Sequence, residues 1–286
     1  MRTVTRLFPA PREEIPLEGL YLQHAAQRSQ TRRHPRVYTN FIASMDGRIA
    51  VDDPATEDHG VPDSITNPRD WRLFQELAAQ SDILLTSDRY LHELAEGKAQ
   101  AAAPLDDDPA FTDLHAWRQQ QGWPRQPAIA VICASLDLPL TTLAELADRP
   151  VYVATGGPDG SGAIKDIQRS GARVLHTASE GKRVNAERLI EMLGALGYFN
   201  IYSIAGPGVF GTLLDAGVLD RLYLTQVHRL IGGSSFDTLI KHDSQRLPVN
   251  LVLQALYYDR GSATAAGQFF GVYDTENTRG SADQQA

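Results

Sequence analysis

A glycine-rich turn within residues 197–236 has the residue types and spacing to bind an anionic ligand. Gly206-Pro207-Gly208 follows an apolar, β-branched run that predicts a buried strand, and Val209 and Phe210 open an apolar helical pattern. Bare glycine backbone permits close approach of a ligand, and a helix N-terminus presents backbone N–H groups to it. The turn therefore predicts a phosphate or pyrophosphate site. The alternative is a turn that only changes the direction of the chain.

Two other polar loops follow predicted strands in the same way. Ser44–Gly47 follows the strand pattern 37–44, and Thr155–Pro158 follows the strand pattern 150–154. In open α/β sheets, ligands bind outside the carboxyl ends of the strands. The convergence of three such loops favours a ligand site over a purely structural turn.

Strand and helix patterns alternate through most of the chain and end in two strand patterns, 251–258 and 268–273. This order predicts an α/β fold with a mainly parallel, helix-flanked sheet and an antiparallel C-terminal hairpin. Residues 1–35 are expected to be a loosely held N-terminal extension, and the alternatives are an arm packed on the body or one used at a subunit contact. Residues 36–274 are expected to form the main domain and 275–286 a flexible tail.

Composition narrows the class of protein. The 286 residues are 42% hydrophobic and 22% charged, which is typical of a globular chain with a substantial core. A net charge of −8 argues against a general nucleic-acid surface but leaves room for a phosphorylated ligand. The single cysteine, Cys133, lies in an apolar run, so we expect neither an internal disulfide nor a metal site.

The N-terminus has no apolar signal-peptide core, and no window approaches eighteen apolar residues. We therefore expect a soluble, cytoplasmic protein that does not enter a membrane.

The order of several short motifs resembles that of the reductase domain of RibD-type riboflavin biosynthesis enzymes, which has a dihydrofolate-reductase-like fold. The resemblance covers roughly residues 36–274. The matching pieces are Ser44-Met45-Asp46-Gly47-Arg48-Ile49-Ala50, Ile65-Thr66, Leu77 to Leu85, Ala205 to Leu214, and Leu213 to Leu222 continuing to Leu230-Ile231-Gly232-Gly233. Each piece is loose, but their shared order and spacing are specific.

The resemblance implies an NADPH-dependent oxidoreductase that acts on a ribosylaminopyrimidine 5′-phosphate, either before or after its deamination. The sugar ring opens to an imine, and hydride is delivered to C1′. The resemblance also implies a homodimer. The deaminase half of the bifunctional enzymes needs a Cys-rich zinc motif, which a chain with one cysteine cannot supply.

The same resemblance implies the site residues. Asn40, Ser44 and Asp46 would line the cleft for nicotinamide and substrate, with Asp46 bonding sugar hydroxyls or supporting the imine. The alternative for Asp46 is a turn-former that bonds its own backbone. The residues implied to contact the cofactor are Thr66, Ser87, Thr155, Gly156, Gly206, Gly208, Val209 and Phe210.

Two departures from the family pattern keep a second function open. Ser87 and Tyr90 stand where the family has the glycine and threonine of a Gly-x-x-Thr loop. Ala205-Gly206-Pro207 replaces Glu-Gly-Gly, and Pro207 removes one backbone N–H from the turn. The rival hypotheses are a catalytically idle member that binds a nucleotide or partner, and a dihydrofolate-type reductase.

Overall fold

The computed structural model describes residues 3–24, 34–52, 59–98, 105–157, 162–177, 183–240, 248–261 and 266–276. The strands are β1 (Thr3–Phe8), β2 (Glu13–Pro16), β3 (Arg36–Ser44), β4 (Ala50–Asp52), β5 (His59–Gly60), β6 (Ile83–Ser87), β7 (Ala128–Ile132), β8 (Val151–Thr155), β9 (Arg173–His176), β10 (Asn200–Ser203), β11 (Arg221–Val227), β12 (Phe236–Asp237), β13 (Leu251–Asp259) and β14 (Gln268–Thr275). The helices are α1 (Pro68–Ala79), α2 (Asp88–Ala95), α3 (Thr112–Gln120), α4 (Leu140–Glu145), α5 (Gly162–Arg169), α6 (Ala186–Ala195) and α7 (Pro207–Asp215). None of the helices within these ranges is both long and apolar enough to cross a membrane.

The chain divides into two compact units. The first unit comprises the described residues within 1–24, 38–76 and 210–286, and the second unit those within 25–37 and 77–209.

The second unit is a parallel sheet with the strand order β10-β6-β7-β8-β9. Its inner strands are apolar and almost wholly buried, as in Ala128–Ile132 and Val151–Thr155. Strands that are buried along their whole length need cover on both faces, which the connecting helices of parallel sheets provide. The predicted mainly parallel, helix-flanked architecture is confirmed.

The first unit carries the strand order β2-β1-β13-β14-β11-β3. β3 and β11 run parallel, whereas the other neighbours are antiparallel, including the β13–β14 pair. The predicted C-terminal hairpin is therefore confirmed. A small antiparallel sheet, β12-β4-β5, forms beside the turn that follows β3.

The N-terminal residues form part of the first unit. β1 pairs with β13 along one edge and with β2 along the other. The following segment is held by buried Glu76 of α1, whose carboxylate accepts the backbone N–H groups of Gly19 at 2.6 Å and Tyr21 at 2.8 Å. The expectation of a loosely held arm is wrong for residues 3–24, because the strand pairing and this carboxylate fix them. The tail predicted from 275 onward lies outside the described residues beyond Glu276.

Candidate functional site

The parallel register of β3 and β11 places Asn40 and Ser44 on one face of the first unit. Asn40 lies opposite Tyr223, and Ser44 lies opposite Val227. Side chains alternate along a strand, so Asn40, Ile42 and Ser44 share a face. Both strands end at the same edge of the sheet, where the turns that follow them come together.

These two turns are joined by the Asp46 cluster, which consists of Ser44, Asp46, Arg48 and the backbone of Ile231 and Gly232. One carboxylate oxygen of Asp46 accepts the Ser44 hydroxyl at 2.6 Å and the Ile231 N–H at 3.2 Å. The other accepts the Arg48 guanidinium at 2.6 Å and the Gly232 N–H at 2.9 Å. The buried Ser44 hydroxyl also accepts the Arg48 N–H at 3.0 Å.

The surroundings of Asp46 keep it ionised. The Ser44 hydroxyl, followed by the Gly232 N–H, holds the pKa of the Asp46 carboxyl far below its usual range. A carboxylate has about four lone-pair positions, and four donors fill them here. The arrangement makes Asp46 a fixed anion that positions two turns. Its predicted contact with a sugar hydroxyl stays a prediction.

Thr66 lies at the same end of the first unit as Ser44. The Thr66 hydroxyl donates to the Asp63 carbonyl at 3.2 Å, and Asn67 caps α1 by accepting the Asp70 N–H at 3.0 Å. Thr66 and Asn67 line a cavity of about 110 Å³ together with Val227, the residue opposite Ser44. The structure therefore places Thr66 beside the end of β11, the strand paired with β3.

The sequence analysis missed Asp70, in the first turn of α1. This half-buried carboxyl is hydrogen-bonded to the Thr225 side chain of β11, and burial raises its pKa to about 6. Acidic residues are favoured in the first turn of any helix, so its position in the sequence carried no functional signal. The signal that could have found it is Thr225, a polar residue at a position of β11 that alternates with partly exposed ones and is buried.

In the second unit, the predicted cofactor residues follow parallel strands. Ser87 ends β6, Thr155 ends β8, and Gly206 follows β10. In the strand order β10-β6-β7-β8, the outer two of these are three strand spacings apart, about 14 Å. The carboxyl edge of this sheet therefore carries Ser87, Thr155 and Gly206 in a row.

The glycine turn leads directly into α7, as predicted. Pro207 occupies the first helical position, where the missing N–H costs no helical hydrogen bond. A Cβ added at Gly206 or at Gly208 would meet no protein atom within 4 Å, so packing does not explain either glycine. The turn fits the phosphate groups of a dinucleotide, because bare backbone faces open space beside a helix N-terminus.

Val209 and Phe210 form the first turn of this helix. The Val209 N–H donates to the Gly206 carbonyl at 3.2 Å. The Phe210 ring is buried and packs edge-on against Phe41 of β3, with the ring centroids 5.1 Å apart. Phe210 thus anchors α7, and only its backbone is suited to the predicted cofactor contact.

The Thr155 side chain shapes its own turn. Its buried hydroxyl accepts the Gly157 N–H at 3.0 Å, and its carbonyl accepts the Thr177 N–H at 2.9 Å. Gly156, between these residues, is buried as well. Ser87 differs, because this partly exposed residue precedes α2 without a side-chain capping bond. Ser87 therefore retains a hydroxyl that is not committed to the helix.

The described residues contain no group of three or more histidine, cysteine or acidic side chains arranged to hold a metal ion. Cys133 is buried at the end of β7, and burial raises the pKa of its thiol.

Comparison with known proteins gives the family. The model of the RibD C-terminal domain matches residues 35–257. The riboflavin biosynthesis protein RibD of Escherichia coli (strain K12) is 27% identical over 208 residues, which are 70% of this chain and 50% of that protein. The chain thus spans about half the length of this curated relative.

Solved structures share the fold. A pyrimidine reductase-like protein of Corynebacterium diphtheriae matches with a TM-score of 0.62 and 18% identity, over 84% of this chain and 92% of that one. The riboflavin biosynthesis reductase Rib7 of Saccharomyces cerevisiae matches with a TM-score of 0.54 and 15% identity, over 90% and 98% of the two chains. Because the family model covers most of the sequence, the chain belongs to the RibD C-terminal domain family.

Proposed function

We propose that this protein is an NADPH-dependent reductase of a ribosylaminopyrimidine 5′-phosphate, with hydride transfer to C1′ of the ring-opened sugar. Family membership and the name of the Rib7 reductase support the reductase class, and the name of the pyrimidine reductase-like protein supports a pyrimidine substrate. The observation that carries the proposal is the glycine turn at the carboxyl edge of the parallel sheet. There, Gly206 before α7 and Gly208 in its first turn leave bare backbone that packing within the protein does not require.

In this proposal the chain's own residues bind and orient the reactants. The 206–210 turn holds the phosphates of the cofactor, while Ser87, Thr155 and Gly156 hold its adenosine side. Asn40, Ser44 and Thr66 face the nicotinamide and the substrate, and the Asp46 cluster fixes the turns around them. When bound, NADPH supplies the hydride, and the protein sets the distance and the nearby charge.

We further propose a homodimer, as the family resemblance implies, and a cytoplasmic location. The substrate is a small phosphorylated pyrimidine, taken before or after deamination.

Titration of the purified protein with NADPH and NADH, followed by fluorescence or calorimetry, tests this function. We expect NADPH to bind and G208D to weaken its binding by at least tenfold, about 1.4 kcal/mol. The physical reason is that the new carboxylate repels the cofactor phosphates. G208N is the matched control, because asparagine has nearly the same shape without the charge.

Three outcomes are distinguishable. Failure of both cofactors to bind at millimolar concentration contradicts the reductase function. Equal weakening in G208D and G208N places the phosphates elsewhere. Binding of NADPH without turnover of either pyrimidine form favours the catalytically idle binding protein. The specific argument for that alternative is Pro207, which replaces a glycine of the family pattern and removes one backbone N–H from the turn.

A further inference from the structure

The Asp70 carboxyl lies over the face of the first unit that carries Asn40 and Ser44. Asp70 reaches down from the first turn of α1 to the hydroxyl of Thr225 on β11. Thr225 is opposite Ile42 in the parallel register, so its side chain points to the same face as Asn40, Ile42 and Ser44. Asp70 therefore lies above the strand positions that the proposed function assigns to nicotinamide and substrate.

This face is partly open at the same place. Thr225 itself is buried, but Asn40 and Ile42 of β3 and Asp70 are all partly exposed. β3 is paired with β11 along its length, so the exposure of Asn40 and Ile42 comes from the face of the strand and not from its edge. A small molecule that rests on Ile42 would lie one strand away from Thr225 and from the Asp70 carboxyl bonded to it.

Asp70 forms no salt bridge within the part of the chain that the structure describes, because the neighbouring arginines are paired with other carboxylates. Arg69 donates to the Asp259 carboxylate at 2.5 Å, and Arg72 donates to Glu76 at 2.8 Å. From the N-terminal segment, buried Tyr21 faces Asp70, and burial followed by that carboxyl raises the pKa of its phenol. From β11, only the Thr225 hydroxyl bonds it.

Burial without a cation favours the protonated carboxyl. The pKa of Asp70, raised to about 6 by burial, keeps part of the population protonated near neutral pH. A general acid works best when its pKa lies near the pH of the reaction. Asp46, the carboxylate on the turn that follows β3, stays ionised and cannot serve as an acid.

We propose that Asp70 is the proton donor that completes reduction of the substrate C=N bond. This inference rests on the proposed reductase function and adds a residue that the family motifs do not include. The hydride pair forms a C–H bond at C1′, and the C=N π pair moves to the nitrogen. That nitrogen takes the proton of the Asp70 carboxyl and becomes N–H. NADPH is oxidised, C1′ is reduced, and the Asp70 carboxylate recovers a proton from water.

The test compares wild type, D70N and E187Q in single-turnover oxidation of NADPH by the ribosylaminopyrimidine 5′-phosphate, from pH 5 to pH 8.5. Asparagine can still accept the Thr225 hydroxyl but has no acidic proton. Glu187 is the matched control, because it is an exposed acid in the first turn of α6 in the other unit. NADPH affinity and thermal unfolding are measured for all three proteins, so a folding or binding defect is visible.

In wild type, we expect the hydride-transfer rate to fall as pH rises above about 6, up to tenfold per pH unit. In D70N, we expect a rate at least about 100-fold lower and flat with pH, while NADPH binding is unchanged. E187Q should follow wild type.

The contrary outcomes separate the two proposals. An active wild type with an unchanged rate and pH profile in D70N overturns the role of Asp70 and leaves the reductase function standing. A wild type that binds NADPH but reduces neither pyrimidine form overturns the proposed function, and the proton donor falls with it.

Discussion

Two aspartates in the first unit, 24 positions apart in the sequence, occupy opposite environments. Asp46 accepts four hydrogen bonds from Ser44, Arg48 and two backbone N–H groups, and its pKa is held far below the usual range. Asp70 is bonded by the Thr225 hydroxyl, and burial raises its pKa to about 6.

This difference shows that the place of a carboxyl group in a sequence motif does not by itself tell what the group does. Asp46 stands in a motif and is the residue that sequence reasoning selects, yet its lone pairs are occupied by the protein itself. Asp70 stands in no motif, but its environment gives it a proton to lose near neutral pH. The burial of each carboxyl and the donors around it set its pKa, and the residue type alone does not.

The largest expected effect on stability comes from breaking the Asp46 cluster. D46N places an amide NH₂ against groups that are themselves donors, so we expect the melting temperature at pH 7 to fall by several degrees. D166N is the control, since Asp166 forms only an exposed pair with Arg169. Thermal unfolding followed by circular dichroism measures both.

The pH dependence of this effect has a definite sign. The folded pKa of Asp46 is lowered, so its stabilisation is present above pH 4 or so and is lost only as pH falls through the folded pKa. The gap between wild type and D46N should stay constant from pH 5 to pH 8 and shrink only in strong acid. A gap that closes near neutral pH would contradict the fixed-anion description.

For Asp70, the free energy of unfolding should change with pH in the opposite direction. Its folded pKa is raised, so the folded state binds the proton more tightly, and the free energy of unfolding falls as pH rises from about 4 to about 6. D70N has no carboxyl to ionise, so its free energy of unfolding does not fall in this way. It should be more stable than wild type by about 1–3 kcal/mol above pH 6. Urea unfolding at pH 4 and pH 7.5 measures the change. Equal stability of the two proteins at both pH values would show that Asp70 is not desolvated.

The smallest effect should come from S44A. Removal of the hydroxyl takes one hydrogen bond from Asp46 and leaves the Arg48 N–H without its acceptor, which costs about 1 kcal/mol. Because Ser44 is the largest cause of the low pKa of Asp46, that pKa should rise toward its usual value. Carbon-detected NMR titration of the Asp46 carboxyl would measure the shift, and an unchanged titration would assign it to the backbone donors instead.

Much of the fold could be predicted from local patterns. The strand patterns 37–44, 251–258 and 268–273 depend on neighbours in the sequence, and they are confirmed as β3, β13 and β14. The two N-terminal strands were missed because the prolines and arginines around them resemble an extension. β1 becomes a strand by pairing with β13, more than 240 residues later, which no local pattern reveals.

The candidate site likewise has features that could be predicted from the sequence and features that could not. The sequence alone determined the glycine turn before α7, the Ser44-x-Asp46-Gly47 turn after β3 and the family, because these depend on backbone freedom and residue order over a few positions. Only the tertiary structure decided what the carboxyl groups do. Asp46 meets Ile231 and Gly232, and Asp70 meets Thr225, across more than 150 residues of chain. A pKa is set by the burial and donors that surround a group in space, and those exist only once distant segments have packed together.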